Sequence, residues 1–171
     1  MLKMPDQLRQ KLIILSGSPW VGKTTVAENL FYSYQNSAHL DDDWVWMVHP
    51  FVMDDPRNQN GYKNFSFVLS TYLNSKFDYV IFSSVRMISK SNRKSVLEDI
   101  TAKNFETIGF HLTCSEETLV ERHKKRGDTH DVSFEYLRWE LHPNDFVIHT
   151  DSKSISQIAE EIKSIVDKSP L

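Results

Sequence analysis

Residues 17 to 24 read Gly17-Ser18-Pro19-Trp20-Val21-Gly22-Lys23-Thr24, the spacing GxxxxGK[ST]. Each residue type has a task at that spacing. The two glycines let the backbone wrap a phosphate chain, so that successive N–H groups converge on an anion. A helix opening at this point adds partial positive charge. Lys23 then reaches the β- and γ-phosphates, and the Thr24 hydroxyl ligates Mg²⁺. The chain has only five glycines, yet two stand at the required positions. The nucleotide-contacting set is read as Gly17, Ser18, Pro19, Trp20, Val21, Gly22, Lys23, Thr24 and Thr25, with Trp20 flanking either the nucleotide or its acceptor. The chain is expected to bind a nucleoside triphosphate, with Mg²⁺.

A second chemical cluster follows at His39-Leu40-Asp41-Asp42-Asp43-Trp44. Side chains alternate along a strand, so Asp41 and Asp43 share a face if extended geometry persists that far. Two carboxylates beside a triphosphate repel it unless they serve a cation or a proton. One is therefore expected to orient Mg²⁺ through water, and the other to accept a proton from an attacking hydroxyl. The metal set is read as Thr24 and Asp41. The plain alternative is a solvated acidic turn. The third apolar stretch ends Ile81-Phe82-Ser83-Ser84-Val85-Arg86, with no acid. Motor and switch NTPases usually hold Mg²⁺ through an acid at that strand end, so its absence argues against a mechanochemical ATPase.

Cations follow on a helix expected over 116–126. Arg122 and Arg126 stand four apart and share a helical face. Guanidinium groups stack on a base and bridge phosphates, and here they would offset charge on a transferring phosphoryl group. A solvated basic helix end is the competing reading. Arg138 is a weaker candidate of the same kind, and Arg86 is placed to bind an anionic group on the acceptor, with Arg57 behind it. Trp44, Trp46, Met47, Phe51 and Phe65 cluster between the second and third strands, where aromatics suit a flat or apolar acceptor. Core packing of two or three of them is the commoner fate.

The elements that must position these groups can be read from periodicity. Strands are expected at 12–16, 38–41, 79–84, 107–113 and 146–150. Helical spacing joins Phe65, Val68, Leu69 and Tyr72. It also joins Ile155, Ile158, Ala159, Ile162, Ile165 and Val166, behind a capping box at Ser154 and Gln157. Continuous apolar strands alternating with helices imply a parallel sheet covered on both faces, with ligands at the carboxyl ends of its strands. Residues 49–60 read as a loop, and both termini as fraying segments. The 171 residues are expected to form one domain, and a net charge of −3 offers no global field for nucleic acid. One cysteine, Cys114, reads as a small core side chain in a reducing compartment. With no signal peptide and no apolar span, a cytoplasmic protein with no membrane partner is expected.

With the phosphate loop, the Asp-x-Asp pair and Arg-x-x-x-Arg placed in order, the chain resembles the P-loop small-molecule and nucleoside monophosphate kinases. Adenylate, shikimate and gluconate kinases and chloramphenicol phosphotransferase belong to that superfamily. The resemblance implies a three-layer α/β fold with sheet order 2-3-1-4-5, a short lid around 123–134, and in-line transfer under a closing lid. Asp41 and Asp43 look like the acid pair of shikimate-kinase-type enzymes, and Arg122 and Arg126 like the lid-entry pair of adenylate kinases. The stretch from Arg126 to Ser133 is too short for a large lid, and the segment Trp44–Phe51 matches neither group. ATP-dependent phosphoryl transfer to a small hydroxyl- or phosphate-bearing molecule is the leading expectation. A nucleoside monophosphate kinase, a non-catalytic regulatory ATP-binding protein and a nucleic-acid end kinase are the alternatives. Changing Asp41 and Asp43 separately to Asn separates enzyme from binding module: the enzyme loses transfer while nucleotide still binds.

Overall fold

The computed structural model describes residues 10–52, 55–127, 129 and 131–168. The chain-terminal segments expected to fray fall largely outside these residues, as do two positions of the expected lid, Asp128 and His130. The elements run β1 (Gln10–Gly17), α1 (Lys23–Ser33), β2 (Ser37–Asp41), α2 (Asn58–Asn74), β3 (Tyr79–Ser83), α3 (Lys90–Glu98), β4 (Phe105–Thr113), α4 (Glu116–Arg126), β5 (Phe146–His149) and α5 (Ile155–Lys168). Every expected strand is present within two residues of its expected bounds. The segment expected as a loop through residue 60 already turns helical at Asn58.

The five strands form one parallel sheet in the order β2-β3-β1-β4-β5. β1 lies at its centre and is buried along its whole length. Because successive side chains point to opposite faces, this strand feeds two cores at once. Ile13 and Leu15 pack with Val26, Leu30, Leu119, Ile158 and Ile162, joining α1, α4 and α5 on one face. Leu12 and Ile14 pack with Phe65, Leu69, Leu73 and Val96 of α2 and α3 on the other. Each such fully buried aliphatic side chain contributes roughly 1.5–3 kcal/mol. Cys114 belongs to the first core, as its sequence context implied, and burial raises its thiol above the ordinary range. α5 starts on the expected box: the Gln157 amide donates to Ser154 Oγ and the Ser154 amide to Gln157 Oε1. Among the described residues, no helix is long and apolar enough to cross a membrane.

Parallel strands that start together also end together. Asp41 of β2 pairs in register with Ser83 of β3, and Leu15 of β1 lies beside Ser83 and Phe110, so the phosphate loop and the acidic cluster issue from this one edge. A buried ion pair steadies the chain beneath it. Arg93 of α3 donates to both Asp145 oxygens (2.5 and 2.7 Å) and to the Met87 carbonyl, so the segment before β5 is tied to the turn after β3. Gly109 lies against this pair, and a β-carbon there would collide with the Asp145 carboxylate. Arg93→Ala, which leaves Asp145 charged and buried, is expected to cost about 3–5 kcal/mol in urea unfolding. Gly109→Ala is expected to be destabilising by the same measurement.

Candidate active site at the carboxyl edge of the sheet

The loop between β1 and α1 takes its path from backbone conformation. Gly17 has φ +142° and Gly22 has φ +102°, both outside the range that L side chains readily adopt. Gly17 has a second constraint, since a β-carbon would strike the Leu112 carbonyl of β4. Trp20 holds φ +62° within the same loop, a conformation that a large residue keeps only when its surroundings enforce it. Its ring meets His123 of α4 edge-on at 4.8 Å. α3, α4 and α5 each begin with a serine accepting a first-turn amide. α1 has no capping side chain and no acid in its first turn, which leaves its positive end to a ligand.

Lys23 is partly buried, and its Nζ donates to the Ser18 carbonyl at 2.9 Å. Desolvation pulls its ammonium down to about 8, against the pull of Asp42, Asp41 and Asp43. Thr24 donates its hydroxyl to Asp41 Oδ2 at 2.8 Å.

The acidic segment departs from the extended geometry expected of it. β2 stops at Asp41, and Asp42–Trp44 form a 3₁₀ turn capped by Asp41, whose Oδ1 accepts the Asp43 amide. Asp41 and Asp43 therefore do not alternate along a strand. The turn instead gathers the carboxylates of Asp41, Asp42 and Asp43 within 4.8 Å of one another. Asp42, passed over in the sequence reading, is part of the cluster. Both buried acids are held from β3: Ser83 Oγ donates to Asp41 Oδ2 and Ser84 Oγ to Asp42 Oδ2, each at 2.6 Å. Since Ser83 spends its one proton on Asp41, His39 Nε2, 3.0 Å away, must donate to Ser83. His39 is thus a buried structural residue. Burial raises Asp42 to about 6; the Ser84 hydrogen bond opposes this, while Asp43 and Asp41 add to it.

Two cavities meet at this cluster. The larger, about 690 Å³, is walled by Pro19 to Thr25, the three aspartates, Arg122, Arg126 and the segment Lys153–Ile155. The smaller, about 320 Å³, is lined by Trp46, Met47, Phe51, Tyr62, Arg86, Tyr136 and Trp139 among others. Asp42, Asp43 and Val85 line both.

The cations divide differently from the sequence reading. Arg126 borders the larger cavity. Arg122 also borders it, but its guanidinium donates to the Val21 carbonyl, Thr150 Oγ1 and the Thr150 carbonyl, so it clamps the phosphate loop to the end of β5. Arg138 lies outside both cavities and pairs with Glu116 at the surface; the same turn delivers Tyr136 and Trp139 instead. Arg57 is likewise exposed and paired, with Asp55. Trp44 also lies outside both cavities, edge-on to His39, because the 3₁₀ turn rotates it away from the mouth. Phe65 is fully buried beneath Arg86 rather than exposed to a ligand.

The family model described as an AAA domain matches residues 13–140. No curated protein matches the chain significantly. Solved structures share its fold at low identity. A sugar kinase from Janibacter sp. HTCC2649 is 14% identical, covering 94% of this chain and 96% of its own, with a TM-score of 0.69. The APS kinase of Mycobacterium tuberculosis, in complex with AMPPNP and APS, is 13% identical over 95% of this chain and 100% of its own, also at 0.69. A gluconokinase from Sinorhizobium meliloti 1021 is 17% identical over 96% and 99%, at 0.65. The fold is that of the P-loop kinases.

Ser84 is placed to set the ionisation of Asp42. A hydrogen bond donated to a carboxylate favours its charged form, so Ser84→Ala is expected to raise the Asp42 pKa further above about 6. A carboxyl-carbon NMR titration measures this directly, and Ser84→Thr should restore the value.

Proposed function

Since the chain belongs to the AAA domain family, we propose that it is an ATP-dependent phosphotransferase acting on a small hydroxyl- or phosphate-bearing molecule. The observation that carries this reading is the junction: a phosphate-loop cavity and a second, aromatic-walled cavity share Asp42 and Asp43. A nucleotide-binding switch has no need of a second cavity opening onto the same carboxylates. The reading takes residues 1–171 as one kinase-like domain with a short lid around 123–134.

The residues present fit ATP with Mg²⁺. Left-handed glycines, an uncapped helix end and Lys23 suit a triphosphate. Thr24 and Asp41, hydrogen-bonded to each other on the cavity wall, form an all-oxygen donor set of the kind Mg²⁺ takes. Held by Thr24 and Asp41, Mg²⁺ would neutralise part of the charge on the triphosphate. Lys23 and Arg126 would offset the remainder, and Arg122 would hold the loop in shape from behind. For a hydroxyl acceptor, the oxygen bonds to the γ-phosphorus while its proton passes to Asp42. The bond from that phosphorus to the β,γ-bridging oxygen breaks, and its electrons leave with ADP. Asp43, exposed at the same junction, would orient the hydroxyl. Positioning and preorganised charge supply most of the rate, as in phosphoryl transfer generally.

The base works only when ionised, so activity falls as pH drops through about 6. Lys23 works only when protonated, so activity also falls as pH climbs past about 8. A bell-shaped kcat/KM profile with limbs near those values is expected from ADP release in a coupled assay. Asp42→Asn should lower kcat by about 10²–10⁴-fold while a non-hydrolysable ATP analogue with Mg²⁺ still raises the melting temperature. Lys23→Met should abolish that stabilisation. Full activity in Asp42→Asn would leave only nucleotide binding.

A further inference from the structure

Resting on the reading of the smaller cavity as the acceptor site, we infer that the acceptor is a compact aromatic alcohol bearing at most one anionic group, and neither a nucleotide nor a sugar phosphate. Three observations converge on this class: the walls, the charges and one buried guanidinium nitrogen.

The walls are largely aromatic and apolar, with the amides of Asn58 and Asn92 the neutral polar exceptions. Trp46, Phe51, Tyr62, Tyr136 and Trp139 surround a space of about 320 Å³. That lies at the low end of ligand cavities, which run to ~1,000 Å³. Flat rings stack or meet edge-to-face on such walls. A sugar ring with hydroxyls on every carbon would find few partners, because Asn58 already bonds Trp46 and the Val52 carbonyl, and Asn92 donates to the Arg86 carbonyl.

The charges exclude a phosphate. Among the described residues, the charged groups lining the cavity are Asp42, Asp43 and Arg86, and no lysine lines it. The other arginines that sequence order places nearby are committed elsewhere: Arg57 to Asp55, Arg93 to Asp145 and Arg138 to Glu116. A phosphate monoester brings close to two negative charges and binds tightly where several cations converge. Here it would meet one guanidinium and two carboxylates. Like-charge juxtaposition of this kind selects against an acceptor.

The remaining cation is prepared for a single acceptor group. The Arg86 guanidinium carbon lies 5.4 Å from the Phe51 ring and 5.6 Å from the Phe65 ring, within cation–π reach of both. Its Nη1 is buried without a hydrogen-bond partner. A buried donor left unmade is costly, and one carboxylate or carbonyl on the ligand would pair with this guanidinium where Arg86 lines the cavity. The ligand hydroxyl then belongs at the Asp42–Asp43 mouth, where the cavity opens onto the phosphate loop.

Thermal shift of the full chain, saturated with Mg²⁺ and a non-hydrolysable ATP analogue, tests this with four probes. They are 3-phenyllactate (ring, hydroxyl and carboxylate), 2-phenylethanol (ring and hydroxyl only), AMP and glucose 6-phosphate. Further stabilisation is expected from phenyllactate, less from phenylethanol, and none from the two phosphates. With ATP in place of the analogue, phenyllactate should gain one phosphoryl group by mass spectrometry. Arg86→Met keeps an aliphatic stem beside the two rings and should weaken phenyllactate by about tenfold or more while leaving phenylethanol unchanged. Stabilisation by AMP or glucose 6-phosphate beyond that by the aromatic alcohols overturns the inference. So does the absence of added stabilisation by all four. Failure of the ATP analogue itself to stabilise the protein would instead sink the phosphotransferase reading.

Discussion

Three carboxylates crowd within 4.8 Å of one another, the two buried ones cannot stay charged without donors, and the edge of this sheet is organised around supplying them. Ser83 and Ser84 at the end of β3 each hold one acid of β2 and its following turn. Thr24 from the first turn of α1 adds a second donor to Asp41, and the Asp43 amide adds a third. One aspartate therefore joins two strands, a helix and a turn. The β2–β3 register is what makes this possible, because Asp41 and Ser83 are direct partners across it. A slip of one residue would turn Ser83 to the other face and strand a buried charge. The absence of an acid on β3, first read as a sign of what the protein is not, thus has a positive counterpart. β3 contributes hydroxyls because the acids come from β2.

The same crowding tunes the two groups on which the proposed chemistry depends. Burial alone would push Asp42 far up and Lys23 far down, since desolvation penalises either charge. Neighbours temper both, with the three aspartates favouring the protonated Lys23, and Ser84 and Arg86 favouring the ionised Asp42. Both then titrate close to neutrality, where acid and base catalysis is most effective. The loop around Lys23 carries a conformational cost for the same end. Left-handed Trp20, an uncapped helix and two positive-φ glycines are unfavourable for folding and favourable for holding an anion.

Arginine is where sequence reasoning and structure part most clearly. Arg122, Arg126, Arg86 and Arg138 were candidates by spacing or by place along the chain, and they have four different situations. Arg126 borders the larger cavity, Arg122 braces main chain, Arg86 lies within cation–π reach of two phenylalanines, and Arg138 pairs at the surface. A guanidinium has five donors and a long stem, so its partner is set by whatever acceptor the fold brings within reach. Nothing local distinguishes Arg93, the most buried of them, from the rest; its partner Asp145 is 52 positions away. The misplacement of Trp44 and the neglect of Asp42 share one cause. Both follow from extending β2 through a 3₁₀ turn that side-chain alternation cannot foresee.

What the sequence determined by itself was whatever depends on neighbours along the chain. The phosphate loop, its glycines, the strand and helix periods and the capping box at Ser154 are short-range features, and the strand order was implied by the family resemblance that those motifs carry. What only the tertiary structure decided was whatever depends on closure between distant segments. The turn that gathers three aspartates, the serines that hold them, the second cavity and the pairing of each arginine join residues tens of positions apart. Hydrogen bonds and ion pairs act over a few ångströms. The chain order of two groups therefore says little about whether they meet until the sheet has brought its strand ends to one edge.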